Sequence, residues 1–363
     1  MTSVQAYLGE EKYLALLDRA VTLSPCGKFR QTLLQKTLHI AFLGGSVTYG
    51  YHPDRPDTDG CFADLIGQDL NRLRGENTVI CRNFGISGTG PVIGGLIAEH
   101  YLTDFAPHII CVEYAINETF DRAGLRRTEG LICKLLHLPQ HPVVIPISLV
   151  NQQGYSCEAF FEQLAAQYQL PLIALRRSLY TAVESGELPW EVYSDDGGHP
   201  HSAGHRLIAD AFFRLYIRTL EEGALPLQAV PLQANGFSQM RLVPPDRIQT
   251  EGFSLINYPL YHFPSAWQAQ CGESAKLTAE LFCSTIVLVF VQENRPDFAA
   301  VSVEIDGTQK EILQGQSIFG WHNPVAAIVL QDDTPALHKI TIRRLSEDNA
   351  KTFYLQEIAA DYQ

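Results

Sequence analysis

The sequence predicts an α/β protein, a parallel sheet covered by helices on both faces, followed by an all-β sandwich. Strand-like apolar runs alternate with helically spaced segments over the first 222 residues or so, the order that builds parallel sheets. Past Gly223 helical spacing nearly vanishes, and alternating runs separated by Asp-Gly, Asn-Pro and Asp-Asp turns take over, as in antiparallel sandwiches. The connection ALPLQAVPLQANG is Pro-punctuated like a linker. Two domains suit a chain of 363 residues, and the expected bounds are 1–225 and 226–363.

The opening stretch, MTSVQAYLGEEKYLALLDRAV, reads as one amphipathic helix. A second helix near 29–36 leads into HIAFLGGSVTYG, residues 39–50, an apolar strand that breaks at Gly44-Gly45 and presents Ser46. The glycines are expected to let the backbone turn sharply there. YGYHPDRPDTDG, beginning at Tyr49, reads as a loop over the site, and 62–74 as a helix carrying Phe62, Leu65, Ile66, Leu70 and Leu73. Strand 78–83 ends in the turn GISGTG, and helix 92–102 precedes the apolar strand 108–114. Helix 128–136, strand 142–148, helix 157–168, a short strand 170–174 and a helix to about 184 follow. The region closes with the loop SDDGGHPH and a long helix for which Ser202 is the expected N-cap. In the second region the strand-like runs are 285–291, 300–305, 326–330, 339–343 and 352–358.

Composition bounds the function. Apolar residues make up 46% and charged ones 18%, which excludes a disordered chain. A net charge of −13 disfavours nucleic acid and anionic membranes as partners. The longest later apolar run, 284–291, is too short to span a bilayer, and the N-terminus lacks the pattern of a signal peptide. Eight cysteines have no metal-like spacing, and Cys81, Cys111 and Cys283 sit inside apolar runs. A reduced, cytoplasmic enzyme without a metal is expected, and oligomerisation is left open.

Four stretches converge on strand ends, where open α/β sheets keep their sites. Ser46 follows one strand, Gly88 lies in the next turn, Asn117 follows VEYAI, and Asp196 and His199 share the final loop. A serine hydroxyl attacks when a nearby base takes its proton, and His199 suits that task. Asp196 can hold the imidazole tautomer, while the amides of Ser46 and Gly88 and the Asn117 side chain can receive an oxyanion. The plainer readings are a helix cap for Ser46 or Asn117 and a simple turn for Gly88. His201 and His205 could stand in for His199, and Asp195 for Asp196. Glu113 receives no role. Tyr49 and His201 are candidate substrate contacts. In the β region Trp267 and Trp321 could stack on a sugar, although core packing is the commoner fate of such rings. GGSVT lacks the lysine of a phosphate loop.

The ordered blocks GGSVT, GISGTG, AIN and DxxHP resemble those of the SGNH, or GDSL-like, hydrolase family, over roughly residues 35–222. The resemblance implies a flavodoxin-like three-layer α/β/α sandwich, a Ser46-His199-Asp196 triad, with the DxxH spacing selecting Asp196, and an oxyanion site of Ser46, Gly88 and Asn117. The first block departs from GDSL, and Ala115 and Glu118 stand where many members have glycine and aspartate. These departures resemble the carbohydrate-active branch, some of whose members carry a jelly roll, there placed before the catalytic domain. The expected function is a cofactor-free serine esterase that removes short acyl groups, acetyl above all, from small-molecule or oligosaccharide esters. The alternatives are a lipase, thioesterase or acyltransferase of the same fold, or a carbohydrate-binding protein with a vestigial site.

Overall fold

The computed structural model describes residues 3–51, 60–222, 225–226, 230–269 and 274–362. Most of the loop expected at 49–59, part of the expected linker and Cys271 lie outside them. The chain divides into two compact units, Met1–Gly94 with His100–Gln233, and Gly95–Glu99 with Ala234–Gln363.

The first unit holds a six-stranded sheet: β1 Val21–Thr22, β2 Leu38–Gly44, β3 Val79–Asn83, β4 Ile109–Glu113, β5 Val143–Ser148 and β6 Leu172–Ala174, in the order β1-β6-β5-β4-β2-β3. All pairs are parallel except β1 with β6. The chain moves outward from β2 to β3, then crosses back so that β4 flanks β2 on its other side. This reversal opens a crevice at the carboxyl ends of β2 and β4, where such sheets bind ligands.

Both faces of the sheet are covered. Leu38, Ile40 and Phe42 of β2 join a core with Phe62, Ile66 and Leu70 of helix Phe62–Arg74 and with Leu207, Ile208, Phe212 and Leu215 of helix Ser202–Glu221. The alternate residues Ala41 and Leu43 are equally buried on the opposite face. Burying each large side chain of this kind contributes about 1.5–3 kcal/mol, so the apolar periodicity is enough to dock these helices.

Several local expectations are corrected. The opening segment is two helices, Val4–Leu8 and Glu10–Ala20, divided at Gly9, and β1 follows them. The helix expected from residue 128 begins at Arg122, because Asp121 caps it by accepting from the Gly124 amide at 2.7 Å. The long final helix is capped by His201 instead of Ser202, which is its first helical residue.

In the second unit every pair of named strands is antiparallel: β7 Arg241–Leu242, β8 Gln249–Glu251, β9 Phe253–Leu260, β10 Phe263–Ala269, β11 Lys276–Glu293, β12 Ala300–Ile305, β13 Thr308–Gln314, β14 Trp321–Arg344 and β15 Phe353–Ala360. Residues 276–283 of β11 pair with 336–343 of β14, and 285–293 pair with 321–331. Each long strand therefore belongs to two layers. One runs β13-β12-β14-β11-β8, and the other β14-β11-β15-β10-β9, with β7 on β15. Leu277, Leu281, Ile286, Leu288, Val301, Ile340, Ile342 and Leu355 fill the core between them. The runs expected at 326–330 and 339–343 are thus parts of one strand. Asp332-Asp333 lies in the irregularity where its register shifts, and Asn323-Pro324 lies inside it. The Asp306-Gly307 turn does join β12 to β13, with φ 53° and 76°, the left-handed pair that tight hairpins require.

Candidate active site

The end of β2 is shaped by close approach. Neither Gly44 nor Gly45 has a positive φ, but Gly45 lies outside the ordinary helical and extended regions at φ −85° and ψ −146°, and both glycines are also required by close contact. A Cβ on Gly44 would stand 2.0 Å from Thr48 Oγ1 and 2.8 Å from the Glu113 carbonyl, and one on Gly45 would stand 2.6 Å from Asn117 Oδ1. Ser46 then opens the short helix Ser46–Tyr49, which ends at Gly50.

The turn after β3 is stitched beside this one. The Phe84 amide donates to the Phe42 carbonyl at 2.8 Å, and that of Ile86 to the Gly44 carbonyl at 3.0 Å. A Cβ on Gly85 would stand 2.3 Å from the Tyr49 amide nitrogen. Gly88, three residues after Gly85, is exposed at the tip with φ 73°, a conformation that glycine adopts without strain.

After β4 the chain bends so that the Asn117 amide donates to the Tyr114 carbonyl at 3.0 Å. The next residue, Glu118, is buried and clamped by Arg127, whose Nε reaches Oε2 at 3.0 Å and whose Nη2 reaches Oε1 at 2.6 Å. The Tyr155 hydroxyl and Cys157 Sγ both donate to the Glu118 carbonyl. The Asn117 turn is therefore fixed from the adjacent helix, Arg122–Leu136, and from the segment after β5.

The last loop closes on Ser194, a fully buried residue that sequence reasoning passed over. Its hydroxyl lies 2.9 Å from the Asp196 carbonyl and 2.6 Å from that of His199, and Trp190 Nε1 donates to the Asp196 carbonyl at 2.7 Å. Asp196 Oδ1 accepts from the amides of Gly198 and His199 at 2.7 and 2.6 Å, leaving Oδ2 to meet His199 Nδ1 at 2.8 Å. Burial would raise the Asp196 pKa, but these two amides and the imidazole outweigh it and hold the carboxyl below its ordinary value. Asp195 is exposed.

From the other edge of the imidazole, His199 Nε2 lies 2.9 Å from Ser46 Oγ. The carboxylate, the ring and the hydroxyl thus form one hydrogen-bonded chain. Tyr51, absent from the sequence-derived set, meets the His199 ring edge to face at 4.8 Å between centroids. Such a ring limits how far the imidazole can turn.

The remaining expected residues divide. Tyr49 is half-buried at the end of the Ser46 helix. His201, expected to touch substrate, is 1% exposed. Its Nδ1 accepts from the Ala203 amide and its Nε2 meets the Glu191 carbonyl, so it serves the helix end and offers no surface to a ligand. His205 packs on Phe62 and accepts from the Phe62 amide at 3.2 Å. Among the described residues no group of three His, Cys, Asp or Glu side chains could hold a metal, and no helix is long and apolar enough to cross a membrane.

Residues 42–207 match the GDSL-like Lipase/Acylhydrolase family. No curated protein matches the chain. Among solved structures the chain is similar to a two-domain esterase (CEX) active on acetylated mannans, at 20% identity. The likeness covers 96% of this chain and 99% of the other with a TM-score of 0.84. The same esterase co-crystallized with mannopentaose gives a TM-score of 0.83 over 96% and 98%.

Proposed function

We propose, from the membership of residues 42–207 in the GDSL-like lipase/acylhydrolase family of ester-cleaving serine hydrolases, that this enzyme removes acetyl groups from carbohydrates by a double displacement at Ser46. The observation that carries the mechanism is the chain Asp196–His199–Ser46, with contacts of 2.8 and 2.9 Å. The acetyl group and the sugar are carried over from the mannan-active esterase whose fold the chain shares.

In the first half-reaction Ser46 Oγ forms a bond to the ester carbonyl carbon while its proton passes to His199 Nε2. The carbonyl π electrons move to oxygen, and the resulting oxyanion is received by the Ser46 and Gly88 amides and the Asn117 side chain. As the tetrahedral adduct collapses, the sugar oxygen leaves with the proton from His199. In the second half, water gives a proton to His199 Nε2 and attacks the acetyl-serine, and collapse returns that proton to Ser46 Oγ and frees acetate. Asp196 stays ionised throughout, fixing the ring so that Nδ1 carries its proton toward the carboxylate.

Acetate release from acetylated manno- and xylo-oligosaccharides, run beside acyl esters of increasing chain length, tests this reading. Turnover is expected to be fastest on the acetylated sugars. A preference for long acyl chains would refute the carbohydrate assignment while leaving the triad untouched.

A further inference from the structure

One ionisable group beside the serine turn has no part in the proposed mechanism. Glu113 ends β4, opposite Gly44 in register, and its side chain is 1% exposed. Its Oε2 meets the hydroxyl of Thr48 at 3.0 Å, and Thr48, two residues after the nucleophile, is itself fully buried. The Glu113 carbonyl accepts from the Gly45 amide at 3.3 Å. Strand end, carboxyl and serine turn are thus tied at two points, one through the backbone and one through a side chain. Glu113 Oε1 has no hydrogen-bond partner among the described residues.

We propose that the Glu113 carboxyl is a positioning residue that, as a neutral acid against Thr48, fixes where the Ser46 hydroxyl stands and releases it on ionising. The inference rests on Ser46 being the nucleophile. An acid of this kind needs little solvation, whereas a buried carboxylate must find hydrogen bonds or water. Burial pushes the Glu113 pKa up to about 8, against the Thr48 hydroxyl and the amides of Gly45 and Thr48, which favour the charged form. Among the described residues, two phenols feel its charge: Tyr114, next in sequence, and Tyr193, which also feels that of Asp196. Tyr193 is fully buried and its Oη has no partner among the described residues. Losing the Glu113 proton therefore puts a second negative charge behind a site that already holds the Asp196 carboxylate. The nearest way to satisfy it is to draw the Gly45 and Thr48 amides toward the carboxyl. That motion shifts Ser46, which lies between them in sequence.

The test follows the rate at which a fluorophosphonate labels Ser46, a readout that needs no knowledge of the natural substrate, from about pH 6 to about pH 10. In the wild type the rate is expected to fall above about pH 8, and to recover when the sample is returned to neutral pH. Glu113→Gln, which keeps the shape without the ionisation, should label within about threefold of wild type at neutral pH and lack the alkaline fall. Thr48→Val should slow labelling at every pH by about tenfold, because the carboxyl acts through that hydroxyl. An alkaline fall in Glu113→Gln identical to that of the wild type overturns the inference and leaves the esterase reading standing. Failure of the wild type to label at any pH overturns both.

Discussion

Gly45 and Asn117 stand so close that a Cβ on the glycine would lie 2.6 Å from the asparagine Oδ1. The Ser46 turn and the Asn117 amide are therefore one packed unit, and the glycine before the serine is there for room. Gly45→Ala should displace the amide and cost turnover nearly as much as Asn117→Ala, about 10²–10³ in kcat. Steady-state kinetics of both variants check this, with a double mutant little worse than either single one. Gly44→Ala, whose Cβ would meet the Glu113 carbonyl at 2.8 Å as well as Thr48, should instead lower thermal stability, because backbone cannot swing aside as a side chain can.

The buried pair beside that amide gives a second expectation. Glu118 is 6% exposed and Arg127 16% at their side chains, joined at 2.6 Å. Arg127→Met would leave a buried carboxylate unpaired, a loss of about 3–5 kcal/mol in such cases. Denaturant unfolding measures it. A loss below about 1 kcal/mol, the value of an exposed pair, would mean that water reaches Glu118.

The two aspartates of the last loop should separate sharply. Asp196→Asn removes the carboxylate that orients His199, and kcat should fall by about 10⁴. Asp195→Asn, at an exposed position, should stay near wild type. The pKa of Asp196 is lowered in the fold, so the stability it contributes is complete above its ordinary value of 3.8 and is lost as pH falls through its lower folded value. The thermal melts of wild type and Asp196→Asn should therefore begin to converge only as pH falls below 3.8, and meet below the folded value.

Glu113 has the opposite sign. Its pKa is raised in the fold from 4.5 to about 8, so the unfolded chain releases the proton first and the fold loses stability as pH climbs between those values. Above that window the loss is complete and constant. The melting temperature of Glu113→Gln relative to wild type should rise steadily across the window and then level off. A difference that does not change with pH would mean that the carboxyl is already ionised in the fold.

Much of this was legible in the sequence where a residue's role follows from its own neighbours. Strands 39–44 and 108–114 announced themselves as apolar runs, and the alternation with helices gave the parallel sheet. What stayed hidden depends on partners far away in the chain. Nothing local tells that Gly45 makes room for Asn117, that Ser194 closes the loop holding Asp196, or that Thr48 is paired with Glu113. His201 read as a ligand candidate because its polarity is visible and its helix-capping geometry is not. In the β region the runs of β14 were visible singly. Asp332-Asp333 resembled a turn, because a shift in register within a long strand carries the same polar residues as a hairpin.

In the proposed mechanism Ser46 Oγ becomes acetylated during turnover. Acid-quenching the enzyme during hydrolysis of an activated acetyl ester, followed by peptide mass spectrometry, reads this directly. One acetyl group is expected on the peptide containing Ser46 in the wild type, and none in Ser46→Ala, which should also lose turnover by about 10⁶. An acetyl group on another residue, or a Ser46→Ala enzyme that still turns over at the wild-type rate, would contradict it.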